Sequence, residues 1–195
     1  MRGFGGRMRA TRAGARWAVA AIVLCWSGCV WAETQVYLLR GWFGVFSTGM
    51  DAIARTLRGK GIEAEALGHL EWKSTVSKIL DERAAGRTGR IVLVGHSQGG
   101  NNIIDIAREL GKHGVRVDLL ITLAPFQQDP VPANVVRALN YYQAGGWGSP
   151  LTADPGFAGE LANIDVGDTG TFHINIDKNA KVQAAIVATI AALPR

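Results

Sequence analysis

Residues 91–100, Ile-Val-Leu-Val-Gly-His-Ser-Gln-Gly-Gly, decide the fold of this chain. They begin with the apolar run 91–94, which is typical of a strand buried in a parallel sheet. Residues 101–110 follow with apolar side chains at helical spacing. Between the two stands a Gly-x-Ser-x-Gly pattern with Ser97 at its centre, and glycines on both sides let a sharp turn close without steric clash. The stretch therefore predicts a strand, a tight turn that exposes a serine, and a helix.

A serine in such a turn, the nucleophile elbow, indicates nucleophilic catalysis. A serine hydroxyl is a poor nucleophile at neutral pH, and it needs a base beside it and N–H groups that take up negative charge. The turn holds the hydroxyl of Ser97 clear of its own backbone. We therefore expect a serine hydrolase, and the alternative is a glycine turn that contains an ordinary serine.

Strand-like and helix-like segments alternate along the rest of the chain. Strands are predicted at 36–40, 62–67, 91–94, 115–124, 135–142 and 161–166, and helices at 50–58, 72–85, 101–110 and 180–193. This alternation predicts an α/β fold with a mostly parallel central sheet covered by helices on both faces. Ligands of such sheets bind beyond the carboxyl ends of the strands, where Ser97 would lie.

The first 32 residues have the composition of a signal peptide. Residues 1–16 contain five arginines and no acidic residue, an apolar stretch follows, and Val30-Trp31-Ala32 offers small residues for cleavage. We expect export to the periplasm or the medium, with residues 33–195 as a single domain and no stable membrane span after cleavage. Two alternatives remain, an uncleaved anchor and lipidation at Cys29.

Removal of this segment changes the charge balance. The full chain has 21 lysines and arginines against 16 acidic residues, and without the five N-terminal arginines the two signs are equal. We therefore expect no nucleic-acid partner. Both cysteines, Cys25 and Cys29, also lie in the segment, so the exported domain would have no thiol. The remaining length suffices for one hydrophobic core.

Motifs for metals and cofactors are missing from the sequence. There is no H-E-x-x-H pattern, no pair of cysteines in the exported domain, and no dinucleotide or phosphate-binding loop. We expect neither a metal nor a cofactor. The sequence carries no signal for an oligomeric state.

The elbow, the alternation of elements and a late histidine resemble the α/β-hydrolase fold superfamily. The length of the chain is similar to that of small lipases and cutinase-like esterases that have no lid domain. The resemblance covers the whole of 33–195, and it implies an exported hydrolase of carboxylic esters that works through an acyl-serine intermediate. It leaves open a thioesterase, a polyesterase, an acyltransferase, or a non-catalytic protein that binds an envelope component.

The chain order of that family, nucleophile, acid and then histidine, implies the catalytic residues. Ser97 is the nucleophile, and His173, between the last strand and the last helix, is the base. The acid is Asp154 or Asp129, and the sequence does not choose between these two loop aspartates. Asp177, just before the last helix, is expected to be its N-cap.

Two backbone N–H groups are expected to bind the oxyanion. The family takes one from the residue after the nucleophile, here Gln98, and the other from the loop after the first central strand, here Trp42 or Phe43. Many members have His-Gly at the start of that loop, whereas this chain has Arg40-Gly41. The local hydrogen bonding of the loop must therefore differ.

Aromatic residues near the predicted strand ends suggest the substrate. They are Trp42, Phe43, Phe46, Phe126, Tyr141, Tyr142 and Trp147. Loop aromatics in this place favour an open acyl-binding cleft for a small-molecule or lipid ester. For Tyr141 and Tyr142 a place in the core is an equal alternative, since strands favour aromatics.

Overall fold

A six-stranded parallel sheet lies at the centre of the structure, a computed structural model that describes residues 33–42, 44, 47–87, 89–146 and 148–194. The strands are β1 Gln35–Leu39, β2 Glu63–Leu67, β3 Ile91–His96, β4 Leu119–Leu123, β5 Arg137–Tyr142 and β6 Glu160–Asp165. The order in the sheet is β2-β1-β3-β4-β5-β6, and every neighbouring pair is parallel. The predicted signal peptide lies outside the described residues, as do Phe43, Phe46 and Trp147.

Four helices cover the sheet on both faces. They are α1 Gly49–Gly59, α2 Trp72–Ala84, α3 Gln98–Lys112 and α4 Ala180–Ala191. The crossover from β1 to β2 runs in one direction along the sheet, and the crossovers through α2 and α3 run in the other. Because such crossovers are right-handed, α1 is expected on one face and α2 and α3 on the opposite face. The contacts agree with this, because α1 packs against α4 and α2 packs against α3.

Each face of the sheet has its own apolar core. On one face Met50, Ile53 and Leu57 of α1 pack with Val182 and Ile186 of α4. On the other face the apolar sides of α2 and α3 pack on the odd-numbered residues of β1 and β3. Burial on both faces explains why β1 and β3 are uninterrupted apolar runs, as the sequence indicated.

The α/β class and the covering of both faces by helices are confirmed; the bounds of most elements differ from the prediction by one or two residues, and those of α3 and β4 differ by more. Helix α3 begins at Gln98, directly after Ser97, and so three residues earlier than predicted. Strand β4 is shorter than the predicted 115–124, because Val117 forms an isolated bridge with Val135 outside the named strands. The connections on either side of β5 are loops rather than helices.

The sheet order places the site. Because β1 leads outward to β2 and β3 leads outward to β4, their carboxyl ends diverge at one point, where open α/β sheets bind ligands. Gly41 follows β1 and Ser97 follows β3 at this point. Within the described ranges, no helix combines the length and the apolar composition needed to cross a bilayer.

Candidate active site

Ser97 lies in the tight turn between β3 and α3 that the sequence predicts. Its backbone has φ 55° and ψ −126°, a conformation that an L-residue rarely adopts and that costs about 1–3 kcal/mol. A Cβ at Gly95 would lie 2.3 Å from the carbonyl oxygen of Gly99, so the first turn of α3 can pack on the strand end only where Gly95 has no side chain. The turn leaves the hydroxyl half-buried and directed away from the sheet's main chain.

His173 meets this serine across the sheet end. Its Nε2 is 2.9 Å from Ser97 Oγ, although 76 positions separate the two residues. The loop between β6 and α4 carries the histidine, and a short turn shapes it. Asn175 Oδ1 accepts the Phe172 N–H at 2.6 Å, and the main-chain N–H groups of Asn175 and Ile176 donate to Phe172 O.

Asp177 is a fully buried carboxylate in the same loop. Its Oδ2 accepts the N–H of Gly49, the first residue of α1, at 2.8 Å, and its carbonyl accepts from Gln183 Nε2 at 2.7 Å. A Cβ at Gly49 would lie 2.0 Å from the Asp177 carbonyl oxygen, so the two segments approach closely enough to exclude any side chain there. The carboxylate is thus anchored on both its main chain and its side chain.

The charges of Asp177 and His173 act on each other. Burial raises the pKa of Asp177, and the nearby imidazole opposes that rise. Burial lowers the pKa of His173 to about 4, a neighbouring histidine, His96, contributes in the same direction, and Asp177 opposes both. At neutral pH the imidazole is therefore uncharged, which is the form that can take a proton from a serine.

The structure corrects the expected role of Asp177. Asp177 does not cap α4: that cap is Asn179, whose Oδ1 accepts from the N–H groups of Lys181 and Val182. Because Asn179 supplies the cap, the side chain of Asp177 is not needed there. Asp177 lies in a 3₁₀ turn over Ile176–Lys178, and it is buried.

Asp129 and Asp154, the two expected acids, have other partners. Asp129 Oδ2 accepts from Asn101 Nδ2 at 2.7 Å, and an Asp154 oxygen lies 3.8 Å from Arg108 Nη2. Chain order places the expected acid before His173, and Asp177, whose charge also acts on the imidazole, comes after it. The sequence contains a signal that Asp177 could have another role. Asp177 and Asn179 are both typical N-cap residues just before α4, and the helix needs only one of them.

The two expected oxyanion donors that the structure describes, the N–H groups of Gln98 and Trp42, belong to segments beside Ser97. Gln98 is the first residue of α3, and the N–H groups of a first helical turn have no acceptor within the helix. Trp42 follows Gly41, which passes so close to the serine that a Cβ there would lie 2.9 Å from Ser97 Cβ. Phe43, the alternative donor, lies outside the described residues.

Arg40 explains how this loop differs from the His-Gly pattern. Its guanidinium donates from Nε to Asp51 Oδ2 at 2.9 Å, and its Nη2 donates to the other oxygen of the same carboxylate. These hydrogen bonds lower the pKa of Asp51 and fix the end of β1 to helix α1. The pair is half-buried, and its two-pronged geometry resists rotation of the loop.

Apolar side chains surround the serine and histidine. Of the six exposed large apolar residues in the described part of the chain, four lie on the loops at this end, and they are between 45% and 62% exposed: Trp42, Phe126, Phe172 and Ile174. The rings of Trp42 and Phe126 are 5.4 Å apart. Asn101 holds the second ring in place, since its Oδ1 accepts the N–H groups of residues 126 and 127. Of the two tyrosines, Tyr141 is a core residue.

A cavity of about 350 Å³ opens beside the histidine. Its lining consists of Gln143, Gly145, Gly146, Phe172, His173 and Ile174. Its volume is sufficient for a small acyl or alcohol group. Over the ranges that the structure describes, no group of three or more His, Cys, Asp or Glu side chains is arranged to hold a metal ion.

Comparison with known proteins rests on structure. No protein-family model matches the chain, and no curated protein matches it in sequence. The product of gene lin2722 of Listeria innocua superposes with a TM-score of 0.58 at 14% identity, over 84% of this chain and 96% of that one.

Two thioesterases have a similar structure. RedJ of the prodiginine pathway of Streptomyces coelicolor has a TM-score of 0.52 at 10% identity, over 83% of this chain and 91% of its own. The type II thioesterase BorB of the borrelidin cluster has a TM-score of 0.50 at 11% identity, over 81% and 93%. At these identities the likeness concerns the fold alone, and it confirms that the chain has the α/β-hydrolase fold.

Proposed function

We propose that this chain is a serine hydrolase that cleaves carboxylic esters through an acyl-serine intermediate. One observation carries the proposal: Ser97 Oγ, on a strained elbow, is 2.9 Å from Nε2 of an uncharged histidine. A hydroxyl exposed in this way and paired with a base is the arrangement that nucleophilic acyl transfer needs.

In the first half of the proposed reaction, Ser97 Oγ attacks the carbonyl carbon of the ester. His173 Nε2 takes the hydroxyl proton as the new C–O bond forms, and the carbonyl oxygen becomes an oxyanion. The N–H groups of Gln98 and Trp42 receive that negative charge, and such donors are typically worth about 3–4 kcal/mol each. The intermediate then expels the alcohol, which leaves with the proton from Nε2.

In the second half, water releases the acyl group. His173 removes a proton from the water molecule, whose oxygen attacks the acyl carbon and forms a second oxyanion. Collapse breaks the bond to Ser97 Oγ, and the proton on Nε2 returns to the serine oxygen. The free carboxylic acid leaves, and both residues regain their starting protonation.

Asp177 has the proposed role of orienting acid. The imidazolium that forms in each step is a half-buried cation, and the anchored carboxylate of Asp177, whose charge acts on this ring, stabilises it. This position follows the histidine in the chain instead of preceding it. The roles recur on unrelated folds in different chain orders, so the order itself imposes no chemistry.

The apolar residues around the site favour an ester with an apolar acyl or alcohol group. A patch of aromatic and aliphatic side chains beside a reactive serine is costly in water unless it contacts substrate. Each methylene group that the substrate buries is worth about 0.8 kcal/mol, or roughly fourfold in kcat/KM.

A fluorophosphonate probe tests the proposed chemistry. The wild-type chain should form one covalent adduct at Ser97, detected by intact mass, and Ser97→Ala should remain unlabelled. A wild-type chain that does not react would favour a non-catalytic binding protein. Nitrophenyl esters of increasing acyl length, with a matched thioester, then determine the substrate class, and equal rates across the series would contradict an apolar cleft.

We further propose that the chain is exported after cleavage behind Ala32. The arginines, apolar stretch and small residues of 1–32 support this proposal. N-terminal sequencing of the protein from a secreting host tests it. A chain that starts at Glu33 is expected, whereas one that starts at a lipid-modified Cys29 would show processing as a lipoprotein.

A further inference from the structure

His96 is a buried histidine that the acyl-transfer steps leave without a role. Its side chain is 2% exposed, and both of its ring nitrogens have a partner. Nδ1 is 2.8 Å from the hydroxyl oxygen of Ser47, and Nε2 is 2.7 Å from the main-chain carbonyl oxygen of His173. The ring therefore lies between the loop that follows β1 and the loop that carries the base.

These partners allow only one arrangement of protons on a neutral ring. A carbonyl oxygen only accepts hydrogen bonds, so Nε2 of His96 carries the proton and donates to His173 O. Nδ1 is then an acceptor, and the hydroxyl of Ser47 donates to it. Ser47 Oγ itself accepts the N–H of Gly41 at 2.9 Å. The hydrogen bonds therefore run in one direction, from Gly41 through Ser47 and His96 to the base loop.

The ring is uncharged at neutral pH, as this arrangement requires. Burial lowers the pKa of His96 to about 4, and the positive charge of Lys178 acts in the same direction. A protonated ring would donate from both nitrogens, and Ser47 Oγ would then receive two donors while its own hydrogen lost its acceptor. The uncharged state of the His96 ring and its two hydrogen bonds therefore stabilise each other.

This chain of bonds joins the two halves of the site. Gly41 begins the segment that presents the Trp42 N–H, and His173 presents the base. His96 immediately precedes Ser97 and is fixed to β3 by the sheet. A displacement of about 1 Å between reacting groups can lower a rate by about 10²-fold, so the spacing of these loops matters for catalysis.

We propose that His96 is a positioning residue for acyl transfer, whose neutral ring sets the spacing between the donor loop and the base loop on either side of Ser97. The inference rests on the proposed function. It assigns a role in catalysis to a residue that touches no substrate. His96 acts only through the main chain of His173 and the side chain of Ser47.

The choice of histidine has a physical reason that variants can separate. The ring offers an acceptor at Nδ1 and a donor at Nε2, pointing to different sides. His96→Asn keeps a polar group near Nδ1, His96→Gln keeps one near Nε2, and His96→Phe fills the space with neither. Each variant therefore removes a defined part of the connection.

The proton positions can be tested without any assay of activity. Long-range ¹H–¹⁵N correlation spectra of the full chain with ¹⁵N-labelled histidine identify the tautomer of each ring. His96 should show a proton on Nε2 alone at pH 7, whereas the exposed ring of His113 serves as the solvent-averaged reference. A proton on Nδ1 of His96 would overturn the proposal.

Kinetics on the best ester substrate test the positioning role. For His96→Phe we expect kcat to fall about 10²-fold with KM within about twofold, and we expect the Gln and Asn variants to recover part of the loss. Ser47→Ala should also lower kcat. The double variant should be no slower than His96→Phe alone, because both changes break one chain of bonds.

Asn134→Ala is the matched control. Asn134 likewise joins two segments, because its Nδ2 donates to the main-chain carbonyls of Ala107 and Val115, but it does so at the opposite end of the sheet. This change should lower the unfolding midpoint and leave kcat unchanged. If His96→Phe does not fold, Ser47→Ala and His96→Gln supply the same comparison with smaller changes in volume.

The outcomes separate the two proposals. Folded His96→Phe with wild-type kcat, or losses that add in the double variant, would overturn the positioning role alone. A wild-type chain no faster than Ser97→Ala would overturn the proposed function and the positioning role with it. The tautomer of His96 remains measurable in either case and tests the geometry independently.

Discussion

The elbow around Ser97 and the loop that carries His173 meet at the hydrogen bond between these two side chains, but they are built differently. The elbow is fixed by main-chain packing, because β3 is an interior strand and Gly95 lets α3 close against it. The His173 loop follows the edge strand β6, and side chains hold it. These side chains are His96, Asn175, Asp177, Asn179 and Gln183.

The difference teaches where the site can be altered. Replacing Gly95 of the elbow would force the end of an interior strand away from α3 and so threatens the fold. Replacing a polar side chain around the His173 loop removes one hydrogen bond and leaves the sheet intact. We therefore expect changes at the loop to alter catalysis more than stability, and the variants below test that expectation.

Asp177→Asn should have the largest effect among these loop variants. The amide keeps the volume but removes the charge that stabilises the imidazolium, and the corresponding change in a serine protease lowers kcat by about 10⁴-fold. The expected result is a similar loss in kcat on the best ester substrate, with a folded protein by circular dichroism.

The matched controls are Asp129→Asn and Asp154→Asn. Both carboxylates are engaged with other side chains, so kcat should change less than about threefold. A large loss of kcat in either variant, together with nearly wild-type kcat for Asp177→Asn, would show that the acid precedes His173, as the chain order of the family implies.

Gly49→Ala tests how the acid is anchored. The new methyl group would meet the Asp177 main chain at 2.0 Å and displace the carboxylate, so we expect kcat to fall by about 10²-fold and the unfolding midpoint to drop. Gly59→Ala, at the other end of the same helix, has open space around the new methyl group. Equal behaviour of the two variants would show that the Gly49 contact has no part in placing Asp177.

The same contrast explains how much could be predicted from the sequence. The elbow is encoded locally, since ten consecutive residues contain the strand, the glycines and the helix start. The α/β class follows from the alternation of such segments, and it is confirmed. The spatial pairing of Ser97 with His173 was also expected, because carboxyl ends of parallel strands lie at one edge.

The proposed acid, Asp177, depends on contacts that a sequence does not display. Its anchor is the N–H of Gly49, 128 positions away, and this donor is available only because α1 packs beside the final loop. The sequence indicated Asp177 as the N-cap of α4, whereas the structure assigns the cap to Asn179. The proposed role of His96 was hidden for the same reason, since its two partners come from separate segments of the chain.

The pH dependence of activity tests the electrostatics of the loop. Because burial lowers the pKa of His173 to about 4, kcat/KM should fall only as the pH drops through about 4, well below the 6.5 of a free histidine. The Asp177 charge raises this pKa, so Asp177→Asn should move the acid limb to still lower pH. A limb near 6.5 in the wild-type chain would show that the imidazole is solvated.

Stability should respond over the same range of pH. The pKa values of His96 and His173 are lowered on folding, so the unfolded chain binds more protons below about 6.5, and stability falls as the pH decreases towards 4. The raised pKa of Asp177 acts in the opposite direction. Urea midpoints measured at each pH separate loss of the folded state from loss of activity.

Asn179→Ala should have the smallest effect and concerns the start of α4. The variant loses the cap to Lys181 and Val182 and the hydrogen bond to Thr171 at 2.9 Å, and a cap is worth about 1 kcal/mol of unfolding free energy. Thr48→Ala is the control, because Thr48 precedes α1 without a capping hydrogen bond from its side chain. Urea unfolding should show the loss at Asn179 and almost none at Thr48. If kcat of Asn179→Ala falls by far more than the loss of stability explains, the start of α4 also helps to place His173.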